Sequence, residues 1–343
     1  MIQITPVRRP LSVASAGNQL QGETQVKILR VLAAGVVWAA LAPQALAQGY
    51  PNKPVHVIVP QPPGGVDTVA RIIVQKLSES TGQPFIVENR PGASGTIGTS
   101  YVAKAPADGY TLLINASIHV INSFILKSLP FDPLKDFTPI TEIGSSPLVI
   151  AVHASVPAND LAELVALSRR QKLNWAIPGF GSADHLTAEA LRLNLGIVFQ
   201  TVPYKGMGPA ITDLAGGQVH AMGMPILPAL PHIRSGRIKA LAVTGAHRNK
   251  GLPEVKTVSE SGMPGFEMST WYGLWAPKGL PGEIAARIHA ETATAIRSAE
   301  VRDKLPDTIF DLKASSPEEF ARYIDAEAAK YAAIVKQAKI SSE

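Results

Sequence analysis

Residues 55–67 read VHVIVPQPPGGVD, an apolar β-branched run followed by a proline- and glycine-rich loop and then by Asp67. The run at 55–60 has the length and composition of a buried strand. Residues 68–78 carry apolar side chains at helical spacing, and Asp67 stands where a helix N-cap belongs. This stretch therefore predicts a strand, a glycine loop and a helix in immediate succession.

The same unit recurs along the chain. Further strands are predicted at 85–88, 111–115, 148–152, 173–177, 199–202, 219–224, 241–244 and 272–276. Further helices are predicted at 96–104, 160–170, 182–195, from Pro209 to 216, 283–297 and 317–338. Because alternating strands and helices form mostly parallel sheets, we assign the fold class as α/β. Ligands bind such sheets beyond the carboxyl ends of the strands, where the glycine loops lie.

The composition excludes several classes of protein. A chain of 343 residues with 46% hydrophobic and 17% charged residues is long enough for two folded domains. Four basic residues and one acid fall within residues 1–47, so the formal net charge of +5 leaves 5 − 3 = +2 for the remainder. That charge gives little support for nucleic-acid binding. The chain has no cysteine, which excludes disulfides, thiolate metal sites and cysteine nucleophiles.

The N-terminus predicts export. Lys27 and Arg30 precede an uncharged apolar run at 31–42, and the run is followed by an A-x-A site at 45–47. This is the pattern of a cleaved signal peptide over residues 1–47. The run is shorter than the ~20 residues of a membrane-spanning helix, so an uncleaved anchor is the less favoured alternative. We expect a periplasmic mature protein.

The glycine loops can bind an anion. A loop of glycines lets backbone N–H groups approach a ligand, and a helix N-terminus adds unpaired donors and partial positive charge. Gly64-Gly65 and the loop at 179–182 both precede predicted helices. Each loop alone could be a plain tight turn, and the loop at 89–95 fits that alternative best. Several such loops in one chain favour a binding site for a small carboxylate.

Catalytic motifs are weak. Ser182, Asp184 and His185 follow one another at the start of a predicted helix, so their side chains point in different directions and do not suit a catalytic triad. No phosphate-binding loop of the GxxxxGK[ST] type is present, and the histidines have no metal-binding spacing. Trp271, Tyr272 and Trp275 fit a packed hinge region. We therefore expect a binding protein and no enzyme, cofactor or bound metal.

Seven segments, in this order, resemble a known family. They are Tyr50-Pro51 with Lys53-Pro54; VPQPPGGVD at 59–67 with Ala70-Arg71; VENRPGA at 87–93; APADGYTL at 105–112; LPFDP at 129–133 with Asp136-Phe137; VPYKG at 202–206; and LPHIRSG at 230–236. Their number and order make the mature chain resemble the Bug family of extracytoplasmic solute receptors, the binding components of tripartite tricarboxylate transporters.

The resemblance implies a type II periplasmic-binding-protein fold, with two lobes of mostly parallel sheets joined by two crossovers near 146–148 and 270–273. Lobe one would comprise residues 48–147 and 272–343, and lobe two residues 148–271. Ligand carboxylate would be held largely by backbone amides. Carried over position by position, the ligand contacts are Gly64, Gly65, Asp67, Ser117, Gly181, Ser182, His185, Tyr204, Lys205 and Gly206.

Three further residues complete the candidate site. His119, like His185, lies in a candidate cleft loop, and a structural hydrogen bond is the alternative role for each. Phe180 stands where the resemblance places a small polar residue, and Met224 lies where it often places an acidic one. We therefore expect a ligand whose far end is apolar or aromatic rather than an amino acid.

These features together predict a receptor that closes on a small carboxylate and delivers it to the permease subunits of a tripartite membrane transporter. We expect a monomer that does not bind nucleic acid. Two alternatives remain open, a sensor component that presents its ligand for signalling and an exported hydrolase. The sensor alternative needs the same closing cleft, whereas the hydrolase needs a nucleophile and base that converge.

Overall fold

Ten strands and ten α-helices lie along residues 49–340, the part of the chain that the computed structural model describes. The contacts divide the chain between Tyr50 and Pro51, and all of these elements belong to the second unit. The strands are β1 (Val55–Val59), β2 (Phe85–Asn89), β3 (Thr111–Ala116), β4 (Phe137–His153), β5 (Leu173–Ile177), β6 (Phe199–Pro203), β7 (Ala221–Pro225), β8 (Ile238–Val243), β9 (Ser269–Pro277) and β10 (Asp311–Leu312). The helices are α1 (Gly65–Thr81), α2 (Thr96–Ala103), α3 (Ile118–Ile125), α4 (Leu161–Ser168), α5 (Ala183–Leu195), α6 (Met207–Ala215), α7 (Ile226–Arg234), α8 (Gly282–Arg297), α9 (Ala299–Lys304) and α10 (Pro317–Ala338).

The predicted signal peptide, residues 1–47, lies outside the described residues. No helix within residues 49–340 is long and apolar enough to cross a membrane. The longest, α10, has 22 residues and carries acidic side chains in its first turn and Lys336 in its last.

Two helices begin earlier than the sequence predicts. Helix α1 starts at Gly65, so Gly64 is its N-cap and the prediction of Asp67 as N-cap is wrong. Asp67 instead lies in the first turn, where its charge is favoured by the helix dipole. Helix α6 starts at Met207 rather than Pro209. In both cases a glycine with positive φ precedes the helix, at +149° for Gly64 and +117° for the N-cap of α6, and this conformation favours glycine.

The strands form one mixed sheet in the order β2-β1-β3-β9-β4-β7-β5-β6, and β8 and β10 also pair with β4. Strand β1 is parallel to β2 and β3, and β5 is parallel to β6 and β7. Strands β4 and β9 run antiparallel to each other and to their other neighbours. The α/β class is confirmed, with antiparallel pairing where the chain crosses between the two parallel groups.

Strand β4 connects those groups. Its residues 137–147 pair with β9, and its residues 148–153 pair with β7 and β8. We call β1–β3, β9, β10 and residues 137–147 the first sheet half, and β5–β8 with residues 148–153 the second sheet half. The change of partner falls within the predicted crossover at 146–148.

The sequence underestimates β4 and misses α3. Pro139 and Gly144 interrupt the strand pattern, and the strand accommodates both through shifts in its pairing with β9. The prediction that His119 lies in a loop is wrong, because Ser117 is the N-cap of α3 and His119 lies in its first turn. Helix α3 has only eight residues, five of them apolar, so it spans little more than two turns and is too short for a repeated apolar spacing to identify it as a helix.

Two apolar clusters support the sheet halves. The first contains Trp271, Trp275 and Phe320, and the second surrounds Trp175. The Trp271 indole N–H donates to the Tyr331 hydroxyl at 2.9 Å and to Glu327 at 3.2 Å, so these buried polar groups are paired. Tyr331 belongs to α10, which contacts both α3 and α5. The C-terminal helix therefore packs against two of the helices whose N-termini reach the candidate site.

Candidate functional site

A cavity of about 350 Å³ lies among the N-termini of five helices. Its wall includes the first residues of α1, α3, α5, α6 and α7 or the residues that cap them. Both sheet halves contribute, through α1 and α3 from the first and α5, α6 and α7 from the second. A site of this kind offers backbone N–H donors and partial positive charge from several directions.

Glycine caps leave two of these helix N-termini with open donors. Gly64 and Gly206 are the N-caps of α1 and α6, and neither helix receives a side-chain cap hydrogen bond from the described residues. A side chain at Gly206 would lie 3.1 Å from the Pro62 ring, so the absence of a Cβ also lets the two loops approach each other. Helix α5 differs, because the Ser182 hydroxyl oxygen accepts from the His185 backbone N–H at 3.1 Å.

The side chains of the wall are mainly apolar. Lysine, arginine and histidine are absent from the described lining, so attraction for an anion comes from the helix N-termini rather than from a side-chain cation. Polar atoms come from a few residues of both sheet halves and the strands between them. The apolar lining consists of Pro62, Pro63, Val66, Val69, Ala116, Ile118, Pro178, Ala183, Met207, Ile211, Pro225, Leu227, Pro228 and Phe310.

Asp184 is the only carboxylic acid among the described residues of the lining. Its side chain is 3% exposed, and its Oδ1 atom has no hydrogen-bond partner among the described residues. Burial raises the pKa of Asp184 to about 7, against weaker stabilisation of the charge by its own backbone N–H and by Ser182. The wall therefore holds a carboxyl group that can exchange a proton near neutral pH.

Tyr272 and Thr270 bring β9 into the wall. A Cβ added to Gly65 would lie 3.9 Å from the Tyr272 hydroxyl oxygen, so this hydroxyl lies close to the start of α1. The Tyr272 ring packs on Phe310 with centroids 5.4 Å apart. Burial, and the negative charge of Asp184, raise the pKa of Tyr272 above its usual range, so its hydroxyl remains a hydrogen-bond donor.

The sequence missed Tyr272 because it was interpreted together with Trp271 and Trp275 as one hinge cluster. Alternate residues of a strand point to opposite faces. Trp271 and Trp275 accordingly lie in the first apolar cluster, whereas Thr270 and Tyr272 line the cavity. This alternation was readable from the sequence once β9 was recognised to begin before residue 272.

Five of the thirteen predicted site residues line the cavity. They are Gly64, Gly65, Ser117, Ser182 and Gly206. The structure brings together loops that are up to 142 positions apart in sequence, 206 − 64 = 142. Ligand contact by these residues stays a prediction.

Two first-half predictions lie outside the cavity wall. Asp67 is buried, and its carboxylate pairs with the Arg71 guanidinium at 3.0 Å. His119 is buried between the rings of Phe137 and Trp275, with its Nε2 atom 3.1 Å from the Pro133 carbonyl. Burial lowers the pKa of His119 to about 4, so the imidazole is a neutral packing group.

Three predictions around α5 also lie outside the cavity wall. Gly181 has a φ of +76°, and its N–H donates to His185 Nδ1 at 3.3 Å. Burial lowers the pKa of His185, which keeps the ring neutral as that acceptor. Phe180 is 44% exposed and packs edge-on against the His185 ring at 5.4 Å. These contacts hold the loop before α5, and none of the three residues belongs to the described lining of the cavity.

The last three are Tyr204, Lys205 and Met224. The Tyr204 hydroxyl donates to Asp213 at 2.7 Å, and burial followed by this bond raises the pKa of Tyr204 to about 12. Lys205 is exposed, and Met224 is buried within β7 opposite Val149. None of the three belongs to the described lining.

A family model matches most of this chain. The model described as "Tripartite tricarboxylate transporter family receptor" covers residues 69–340. A protein of Pseudomonas sp. (strain P51), "UPF0065 protein in tcbD-tcbE intergenic region", is 36% identical over 320 residues, which are 91% of this chain and 95% of that protein. "Protein BugT" of Bordetella pertussis is 35% identical over 317 residues, 91% of this chain and 97% of that protein.

Solved structures share the fold. "R. palustris Rpa4515 with adipate" has a TM-score of 0.82 at 36% identity and covers 85% of this chain and all of that chain. The periplasmic binding protein BugD has a TM-score of 0.81 at 31% identity with the same coverage. "MatC (Rpa3494) from Rhodopseudomonas palustris with bound malate" has a TM-score of 0.78 at 33% identity and covers 83% of this chain and all of that chain. The predicted periplasmic-binding-protein fold is confirmed.

Proposed function

The chain belongs to the tripartite tricarboxylate transporter receptor family, and from that premise we propose that it captures a small carboxylate in the cavity among the five helix N-termini. The family consists of periplasmic solute-binding receptors and not of enzymes. The predicted class of protein is thereby confirmed, and the exported-hydrolase alternative is dropped. The ligand, its contacts and its transfer belong to the proposal.

The convergence of helix N-termini carries the proposal. Each contributes N–H groups that are not used within its own helix, and together they compensate a negative charge without a side-chain cation. The Gly64-Gly65 and Gly206 loops would supply backbone donors, and Ser117 and Ser182 would supply hydroxyl groups. Tyr272 of β9 would add a further hydroxyl donor, because its hydroxyl lies close to Gly65 at the start of α1.

The two sheet halves would act as two lobes. We assign residues 48–147 and 272–343 to one lobe and 148–271 to the other, because β4 changes partner between Pro147 and Leu148. Strands β4 and β9 would carry the chain between lobes. A ligand that touches both lobes favours the closed state through its higher affinity for that state.

The composition of the wall favours a carboxylate with an apolar body. Prolines, aliphatic side chains and Phe310 line much of the cavity, which suits a short hydrocarbon chain. Relatives described with adipate and malate support a ligand of four to six carbons. In the cell, a cleaved signal peptide would deliver the receptor to the periplasm as a monomer, and the closed form would hand its carboxylate to membrane permease subunits.

A ligand screen tests the proposal. Mono-, di- and tricarboxylates of three to eight carbons would be tested by thermal unfolding and then by isothermal titration calorimetry. A ligand at 100 times its dissociation constant stabilises the folded state by about 2.7 kcal/mol, so a true ligand raises the melting temperature by several degrees. Amines and sugars of similar size serve as negative controls. Absence of stabilisation by every carboxylate would overturn the proposal.

A matched pair of variants locates the site. Gly65→Asp places a carboxylate beside the Tyr272 hydroxyl at the first position of α1, whereas Gly282→Asp places one at the first position of α8, where no atom lies within 4 Å of an added Cβ. Neither glycine has a positive φ, so both variants should fold. We expect Gly65→Asp to weaken carboxylate binding at least 100-fold and Gly282→Asp to leave it unchanged. Equal affinities in the two variants would place the site elsewhere.

A further inference from the structure

Asp184 has no role in holding a carboxylate, yet it lies in the wall of the cavity. It is 97% buried, and its Oδ1 atom accepts no hydrogen bond from any described residue. Buried carboxylate oxygens are nearly always satisfied, because leaving one without a donor costs free energy. Because Asp184 belongs to the lining of the cavity, a ligand bound there is the candidate donor to this atom.

Two other buried polar atoms of lining residues also have no hydrogen-bond partner in the described part of the chain. Thr270 Oγ1 and Gln61 Oε1 also lack partners among the described residues, and both residues belong to the lining of the cavity. The Gln61 amide is oriented by its Nε2 group, which donates to Asn115 Oδ1 at 2.9 Å, so its oxygen is left to accept. Asp184 and Gln61 thus present acceptors, and Thr270 can accept as well as donate.

The donors and acceptors of the wall come from different elements. Helices α1 and α6 begin with glycine caps and open N–H groups, and they suit the ligand carboxylate. Helix α5 begins with Ser182 already accepting from its backbone, and with Asp184 in its first turn. A second ligand carboxylate next to Asp184 would meet a like charge in a buried setting.

We propose that Asp184 selects the ligand by accepting a hydrogen bond from it, so that the receptor prefers carboxylates that also carry a hydroxyl or ammonium group. This inference rests on the proposed function and narrows its ligand class. It also revises the expectation that the far end of the ligand is apolar or aromatic rather than that of an amino acid, since the Asp184 carboxylate can pair with an ammonium group. A dicarboxylate is disfavoured unless Asp184 is protonated and donates to it.

The surroundings of Asp184 make it the main titrating group of the wall. Tyr272 of β9 has its pKa raised by burial and by Asp184, and so it stays neutral. On α5, burial lowers the pKa of His185, which is also neutral near pH 7. On strand β7, Gly223 lies against the backbone of Asp184. This strand contributes no titratable side chain near Asp184. The titratable side chains Glu327 and Tyr331 of the neighbouring α10 accept hydrogen bonds from the Trp271 indole N–H, so their partner is Trp271.

The experiment compares six-carbon carboxylates that differ in one group. Hexanoate, adipate, 6-hydroxyhexanoate, 6-aminohexanoate, 2-hydroxyhexanoate and 2-aminohexanoate are titrated into the full-length mature protein by calorimetry at pH 6 and pH 8. The protein is used as wild type, as Asp184→Asn and as Asp303→Asn. Asp303 is exposed on α9, so its variant carries the same charge change away from the cavity.

We expect the tightest-binding hydroxy or amino acid to bind wild type at pH 8 at least tenfold more tightly than adipate. The adipate affinity of wild type should rise about tenfold from pH 8 to pH 6, as Asp184 becomes protonated. In Asp184→Asn both the preference and the pH dependence should be lost, whereas Asp303→Asn should behave as wild type.

Two results would overturn the inference. If adipate binds wild type as tightly as the hydroxy and amino acids at pH 8, or if Asp184→Asn retains the wild-type ranking, Asp184 does not select the ligand. These results leave the proposed function intact, because carboxylates still bind. If no carboxylate in the panel or in the wider screen binds wild type, the proposed function fails and this inference fails with it. The comparison of ligands in wild type at pH 8 needs no variant, so it decides the question even if Asp184→Asn folds poorly.

Discussion

Asp184 couples the stability of this receptor to pH. Burial raises its pKa to about 7 in the folded state, whereas an ordinary aspartic acid has a pKa near 3.8. Between these values the folded state binds more protons than the unfolded state, so the contribution of Asp184 to stability falls as pH rises from about 4 to 7. The charged form remains buried and incompletely paired above pH 7.

Asp184→Asn should therefore be more stable than wild type at pH 8, and the difference should shrink towards pH 4. Thermal unfolding of both proteins across this pH range measures it, with Asp303→Asn as the variant that changes an exposed charge. Glu142 also has its pKa raised to about 7 by burial, and it is common to all three proteins. A constant offset between wild type and Asp184→Asn at every pH would contradict the assignment.

The Tyr272 hydroxyl is a single hydrogen-bond donor in the cavity wall. It lies near the start of α1 and is a hydrogen-bond donor at all physiological pH values. Tyr272→Phe keeps the ring packed on Phe310 and removes only this donor. Because a hydrogen bond to a charged group contributes about 1.5–3 kcal/mol, we expect carboxylate affinity to fall between 10- and 150-fold.

The matched control for Tyr272→Phe is Tyr204→Phe. The Tyr204 hydroxyl donates to Asp213 outside the cavity wall, so its loss should affect stability but not affinity. Calorimetric titration of the best ligand into both variants separates the two roles. A larger loss of affinity in Tyr204→Phe than in Tyr272→Phe would mean that the ligand lies closer to the loop before α6.

Helix α10 shows how a local signal supports a distant site. Ser316 and Glu319 form a capping box, in which the Ser316 hydroxyl oxygen accepts from the Glu319 N–H at 3.2 Å and the Glu319 carboxylate accepts from the Ser316 N–H at 2.8 Å. The helix packs against α3 and α5, both of which begin at the cavity. A well-formed α10 therefore helps to hold two of the five N-termini in place.

Ser316→Ala should lower the free energy of unfolding by about 1 kcal/mol, because it removes one half of the capping box. Ser316→Asp keeps an acceptor and adds a charge that the helix N-terminus favours, so it should remain within a few tenths of a kcal/mol of wild type. Chemical denaturation of the three proteins tests this. Equal destabilisation by both substitutions would show that packing, and not capping, matters at Ser316.

The position of each helix start was less predictable than its existence. The bounds of α10 and the 173–177 strand were predicted to the residue, because an N-cap serine before proline and a short, mostly apolar run are local signals. The starts of α1 and α6 were placed two to three residues late. Glycine caps give no side-chain signal, and so Asp67 and Pro209 were mistaken for the start.

Across the whole molecule, the site depends on two strands that the sequence showed only in part. Strands β4 and β9 pair with each other and with both parallel groups, and they place five helix N-termini around one cavity. The pairing of Ser146 with Thr270 joins residues 124 positions apart, 270 − 146 = 124. Periodicity within a short window carries no information about such long-range partners.

Local chemistry along the chain was enough to predict the α/β class, the alternation of strands and helices, the glycine loops and the type of site. Those features follow from backbone preferences, capping and spacing, which act over a few residues. The fold decided which residues line the cavity: it buried His119 away from it, turned Tyr204 towards Asp213, and placed Asp184 and Tyr272 in the cavity wall. Burial and side-chain direction depend on elements that meet only after folding, and the raised pKa of Asp184 arises only from that enclosure.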